Sequence, residues 1–319
     1  MDVRIQGTDR EPTVNYADRL QAQLDARGNP CLVGLDPHLE LLPREFEAAR
    51  DTRLPRAERA RALASFCCEV IDVVAPRVAV VKPQSAFFEV FGADGAVAWE
   101  RVVRSAHAAN LIVIGDVKRG DIASTAGAYA TAFLEGIGGD DRGALCDAVT
   151  LSPFLGQDSL DPFLQACARS GTGMYVLVRT SNKGSADFQR HGEPELSALI
   201  ARRVAQWGAS LRGECGLSSV GAVVGATHSA ELRAFREAMP HTPLLLPGYG
   251  AQGASARDIV DAFLPRASRM PCGAIVNSSR GITFAWRERE YAGLHWKDAT
   301  SAALDRMIAE ISAALSAHR

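Results

Sequence analysis

Eight short apolar runs, each followed by a stretch able to form a helix, constrain this chain more than any other feature. They are CLVGLD (31–36), VAVVKP (78–83), LIVIGD (111–116), CDAVTLS (146–152), MYVLVRTS (174–181), SVGAVVGAT (219–227), PLLLPG (243–248) and GAIVNSSR (273–280). Between them lie segments such as RAERARALASFCCEVIDVVA and ELSALIARRVAQWGASLRG, which carry the helical period. A strand that is apolar on both faces is buried on both, the condition of a parallel sheet covered by helices. Eight such units fit an α/β fold of the (β/α)8 TIM-barrel type. Periodicity does not report closure, so a doubly wound open sheet satisfies the same pattern. Extra N- and C-terminal helices are expected at 15–27 and 298–317. No linker interrupts the alternation, and 1–319 reads as a single barrel domain.

Charge narrows the partners. Lys and Arg number 35 against 37 Asp and Glu, a net charge of −2, with no long basic run to track a nucleic acid. No apolar run reaches bilayer length, and MDVRIQGTDREPTVNY lacks the apolar core of a secretory signal. Seven cysteines, at 31, 67, 68, 146, 167, 215 and 272, show neither CxxC nor zinc spacing. They are expected as small core residues of a cytoplasmic protein, with no metal site. The stretches 37–56 and 138–145 read as loop insertions, and 182–194 as a long polar loop of the kind that forms lids.

In a βα barrel, the chemistry projects from the C-terminal ends of the strands. Those ends carry Asp36, Lys82, Asp116 with Lys118, and the pair Thr180-Ser181. Strand seven leads into PGYGAQG (247–253), with Pro247, Gly250 and Gln252, and strand eight into NSSRG (277–281), with Ser279 and Arg280. Two acids and two lysines at one mouth are hard to explain as stability, because surface pairs contribute little and buried pairs often cost as much as they gain. Glycine loops after the last two strands suit a phosphate, with backbone N–H groups and an arginine fork as donors. Each residue also has a plainer reading. Asp36 and Lys82 precede prolines, as a turn former and a surface lysine can, and Asp121 can cap the helix that follows it. His38, His191 and His228 fall near loop ends and carry no assigned role.

DVKRGDI (116–122) fits the pattern Asp-x-Lys-x-x-Asp. With GLDP (34–37), VKPQSAFFE (81–89), LSPFLGQDS (151–159), RTSN (179–182), PGYGAQG and VNSSRG (276–281), the chain resembles the orotidine 5′-phosphate decarboxylases over nearly the whole barrel. RTSN, NSSRG and the insertions are similar to the longer bacterial, mycobacterial-like subgroup. The resemblance implies cofactor-independent conversion of orotidine 5′-monophosphate to UMP and CO2, the last step of de novo pyrimidine nucleotide synthesis. It also implies a homodimer whose active sites are shared across the interface. Residue by residue, it implies that Asp36 contacts the ribose with Lys82 beside it, that Asp116 faces the substrate carboxylate, and that Lys118 protonates the C6 carbanion. Asp121 and Thr125 would serve the partner's site, Ser181 the pyrimidine, and Gln252 both phosphate and base. Arg280 would hold the phosphate, with the Pro247 loop and the backbone near Gly250 and Ser279 assisting; Thr180 and Ser185 are alternatives to Ser181. Two other readings compete. A magnesium-dependent sugar-phosphate decarboxylase would need an acidic ligand where strand two has Lys82. A noncatalytic nucleotide-binding barrel would need neither Lys118 nor Asp116.

Overall fold

The computed structural model describes residues 14–138, 145–226, 229–250, 254–266 and 270–318. Its strands are β1 (Cys31–Leu35), β2 (Val80–Pro83), β3 (Ile112–Arg119), β4 (Ala148–Leu151), β5 (Gly173–Arg179), β6 (Val220–Val224), β7 (Leu244–Leu246) and β8 (Ala274–Ser278). They pair in parallel in sequence order, and β1 meets β8 through Cys31–Val276, Leu32–Asn277 and Val33–Ser278, which closes the barrel. The open-sheet alternative is thereby removed. The principal helices are α1 (Tyr16–Arg27), α2 (Arg56–Val74), α3 (Gly92–Ala108), α4 (Ala123–Ala130), α5 (Asp161–Ser170), α6 (Leu196–Trp207), α7 (Ser229–Ala238) and α8 (Trp296–Ala317). Between β7 and β8 the described chain forms a 3-10 stretch, Ala256–Ala262.

The strands are apolar on both faces because each face enters a different core. Outward residues such as Val33, Val81, Val113 and Val149 pack under the helices with Phe66, Val70 and Val102. Inward residues Leu32, Val80, Ile112, Ile114, Tyr175, Leu245 and Ile275 fill the barrel, joined by Tyr16, Leu20 and Leu24 of α1. Helix α1 therefore plugs the end away from the strand C-termini. It starts at Asn15, whose Oδ1 accepts the N–H of Ala17 at 2.8 Å, and stops at Gly28 with φ 69°. Tyr16 lies where Gly173 has no side chain; a Cβ there would stand 2.4 Å from the Tyr16 ring.

The 37–56 loop insertion carries local structure. It winds into two 3-10 turns, Leu39–Leu41 and Arg44–Ala49, with Phe46 buried edge-on against Phe66 (centroids 5.4 Å) and Trp296 (5.8 Å). The polar loop after β5 is likewise structured, with a 3-10 turn Lys183–Ser185 and a helical turn Ala186–Gln189. Most of the 138–145 insertion lies outside the described residues. All seven cysteines are free thiols; Cys68 and Cys215 are half-buried and the other five buried.

Candidate active site

The hexad stretch interrupts regular pairing. Between β3 and β4 the register passes from Gly115–Val149 to Arg119–Leu151, so four steps along β3 match two along β4. This is a bulge. Within it Lys118 adopts φ 42°, the left-handed region that side-chain-bearing residues rarely enter. Thr150 on β4 satisfies the gap: its Oγ1 accepts the Lys118 N–H at 3.0 Å and donates to Asp116 Oδ1 at 2.9 Å. Lys118 Nζ meets the same carboxylate oxygen at 2.5 Å, and Lys82 Nζ meets Oδ2 at 2.7 Å. Asp116 and Lys118 thus converge through the bulge rather than by plain strand alternation, while Val117 between them stays in the outer core.

Burial alone pushes the Asp116 carboxyl up, but Lys82 and Lys118 together outweigh it and hold it well below the usual carboxylate range. Burial likewise favours a neutral Lys82, but Asp116 and Asp36 outweigh it and raise its ammonium above the ordinary value. Lys82 and Asp116 so keep each other ionised in a place where a single charge would be expelled.

Asp36, Lys82, Asp116 and Lys118 line a cavity of about 650 Å³ at the C-terminal mouth of the barrel. Ser181, Pro247, Ser279 and Arg280 share its wall, and Leu177, Val223 and Leu245 give it an apolar side. Lys82 is buried, so the surface-lysine reading fails. Gly250, with φ 70°, lies just past the wall, and Gln252 lies outside the described residues. Asp121 and Thr125 do not join the wall of this chain's cavity. Asp121 Oδ1 accepts the N–H of Ile122 at 2.8 Å, Thr125 is exposed on α4, and the cap position of α4 is Ile122 without a side-chain bond. Asp121 therefore does not cap that helix.

Three hydroxyls compete after β5. Thr180 Oγ1 donates to Asn182 (2.6 Å) and accepts from Gln189 (2.8 Å), and buried Ser185 accepts from Arg179 (2.7 Å). Thr180 and Ser181 both line the cavity, and Ser181 packs on Gly225, where a Cβ would come within 3.1 Å of its own. Arg179 also pairs with Glu231 of α7 at 2.8 Å, which anchors the base of this loop to the barrel.

Sequence reasoning passed over several wall residues. His38 lines the cavity, its ring edge-on to Phe87 with centroids 4.5 Å apart. Asn277 is buried on the wall and its Oδ1 has no hydrogen-bond partner, as is also true of Asp36 Oδ1. Strand alternation offered a signal for Asn277, which stands two residues before Ser279 on the same face. Thr150 is one of two hydroxyls in the run CDAVTLS, and nothing in the sequence marks it. Among the described residues, no three His, Cys, Asp or Glu side chains gather as a metal site. His191 is exposed, and His228 lies outside the described residues.

A family model described as orotidine 5′-phosphate decarboxylase / HUMPS matches residues 32–293. An orotidine 5′-phosphate decarboxylase of Rhodopirellula baltica is 42% identical over 301 residues, covering 92% of this chain and 98% of its own. A crystal structure assigned to the same enzyme from Streptomyces avermitilis superposes with a TM-score of 0.74 at 34% identity, over 99% of this chain and 100% of that one. Leishmania donovani OMP decarboxylase gives 0.71 at 31% identity, over 95% and 100%. The closed barrel, the charged array at its mouth and these full-length likenesses agree: the chain belongs to the orotidine 5′-phosphate decarboxylase family.

Proposed function

We propose that this chain decarboxylates orotidine 5′-monophosphate to UMP and CO2, in the last step of de novo pyrimidine nucleotide synthesis, with Lys118 as proton donor to C6. The observation that carries the reading is the Lys82–Asp116–Lys118 array braced by Thr150 in a cavity whose rim holds Ser279 and Arg280. When the C6–carboxylate bond breaks, its electron pair stays in the ring plane, where no π system receives it. A fixed ammonium is the group that stabilises such a charge, and in a site with an effective dielectric near 20 a unit pair at 4 Å is worth about 4 kcal/mol. Lys118 then gives a proton to C6 and is left as an amine that solvent reprotonates. Asp116 stands at the departing carboxylate, keeps Lys82 charged and orients both lysines. Leu177, Val223 and Leu245 keep that side of the cavity water-poor.

In this reading Asp36 and Lys82 take the ribose and Ser181 the pyrimidine. Arg280, the Ser279 backbone and the Pro247–Gly250 loop, with Gln252, take the phosphate. Asp121 and Thr125 act in the partner subunit's site of a homodimer. Their position off their own cavity wall supports this, as do the exposed apolar side chains Ile122, Phe154 and Leu155 after the adjacent strands β3 and β4. The chain works as one barrel unit, in the cytoplasm, on a small phosphorylated substrate and without nucleic acid or membrane. Lys82 stands where a metal-dependent relative would need an acid. The test is the loss of pyrimidine absorbance when purified protein meets orotidine 5′-monophosphate, with and without a chelator. Equal rates are expected in both. No turnover, or a loss in chelator that Mg²⁺ restores, overturns the reading.

A further inference from the structure

We propose that Glu310, on the C-terminal helix α8, is a positioning residue for the phosphate loop after β7, acting through Tyr249. The inference rests on the reading that this loop grips the substrate's phosphate. Gly248 (φ 99°) and Gly250 (φ 70°) flank Tyr249 in conformations that favour glycine. Fixing a glycine-bearing backbone such as 247–250 costs more entropy than fixing other residues, so a side-chain anchor at Tyr249 lessens what ligand binding must supply. Tyr249 is the loop's single aromatic residue. It is buried with the outer core, it lies on the cavity wall, and its hydroxyl donates to Glu310 Oε2 at 2.5 Å. Glu310 is itself held: Arg306, one turn earlier on α8, lies 3.5 Å from its other oxygen and also pairs with Glu290.

The returning side of the loop is tied down separately. Gly250 N–H donates to Ala254 O at 3.0 Å, and Ser255 and Asp258 form a capping box that starts the 3-10 stretch Ala256–Ala262. The outgoing side has the Tyr249–Glu310 bond as its side-chain anchor, and that bond comes from the helix after β8 rather than from the unit that carries the loop. Helix α8 is thereby coupled to the binding loop rather than serving only as a cover for the barrel.

The experiment compares ligands with and without phosphate: UMP and uridine as inhibitors, and orotidine 5′-monophosphate and orotidine as substrates. Removing one hydrogen bond of this kind should raise KM for orotidine 5′-monophosphate and Ki for UMP about tenfold in Glu310→Ala and in Tyr249→Phe. For Glu310→Ala, kcat at saturation, uridine inhibition and orotidine turnover should stay at wild-type values. The double variant should be no weaker than either single one, and Glu310→Gln, which keeps an acceptor, should recover most of the affinity. Equal weakening of UMP and uridine would mean a general effect on the cavity and overturn the proposal, as would unchanged UMP affinity or additive losses. If wild type binds UMP more tightly than uridine yet turns over no orotidine 5′-monophosphate, the functional reading fails while the loop test still stands.

Discussion

Asp116 accepts hydrogen bonds from Lys82, Lys118 and Thr150 and is almost wholly removed from solvent. Because its two lysines hold its carboxyl below the ordinary range, it binds a proton more readily unfolded than folded. The stability it contributes is therefore fully present above the usual carboxylate value of about 4 and lost as the pH falls toward the lower folded value. Asp116→Asn leaves Lys82 buried without that partner and should cost about 3–5 kcal/mol at neutral pH. The gap between wild type and variant, read by urea unfolding at stepped pH, should narrow on acidification below about pH 4. A gap that stays constant through the acid range would mean that the Asp116 charge adds nothing to stability. The charged members of the site were legible in the sequence because charges beside a strand are costly and so stand out. Thr150 and His38 were not, because a hydroxyl and a loop imidazole carry no such cost until their surroundings are known.

At the scale of elements, the eight strands were legible because runs apolar on both faces admit few other structures. The apolar run of β3 stops at residue 116, with Lys118 at the strand end, and pairing continues to Arg119, since a bulge with a threonine opposite it lets charged residues stay in the sheet. The 37–56 segment reads only as a loop because 3-10 turns show no 3.6-residue period; its anchors, Phe46 and Trp296, lie about 250 residues apart in sequence. The N-terminal helix was placed correctly at 15–27, but its task as a plug became evident only from Tyr16 and Gly173. Gly173→Ala would set a methyl against the Tyr16 ring and should destabilise the fold by about 1–3 kcal/mol, measurable by urea unfolding. An unchanged midpoint would show that α1 can shift without loss and is not a fitted plug.

For the whole molecule, closure of the barrel brings β1 beside β8 and gathers residues from Asp36 to Arg280 around one mouth. No helix among the described residues is long and apolar enough to cross a membrane. The Asp-x-Lys-x-x-Asp stretch divides at Gly120: Asp116 and Lys118 line this chain's cavity, whereas Asp121 is not on its wall. That division is the structural root of the central claim, a decarboxylase site built from Lys118 of one chain and Asp121 of the partner subunit. The direct measurement mixes Lys118→Ala and Asp121→Ala proteins, each confirmed folded and exchanging subunits, and assays orotidine 5′-monophosphate turnover. Each homodimer should be nearly inactive. A mixed dimer has one site lacking both residues and one intact, and random exchange makes half the dimers mixed, so activity should recover to about a quarter of wild type. No recovery after exchange would contradict the claim and return Asp121 to its own chain's site.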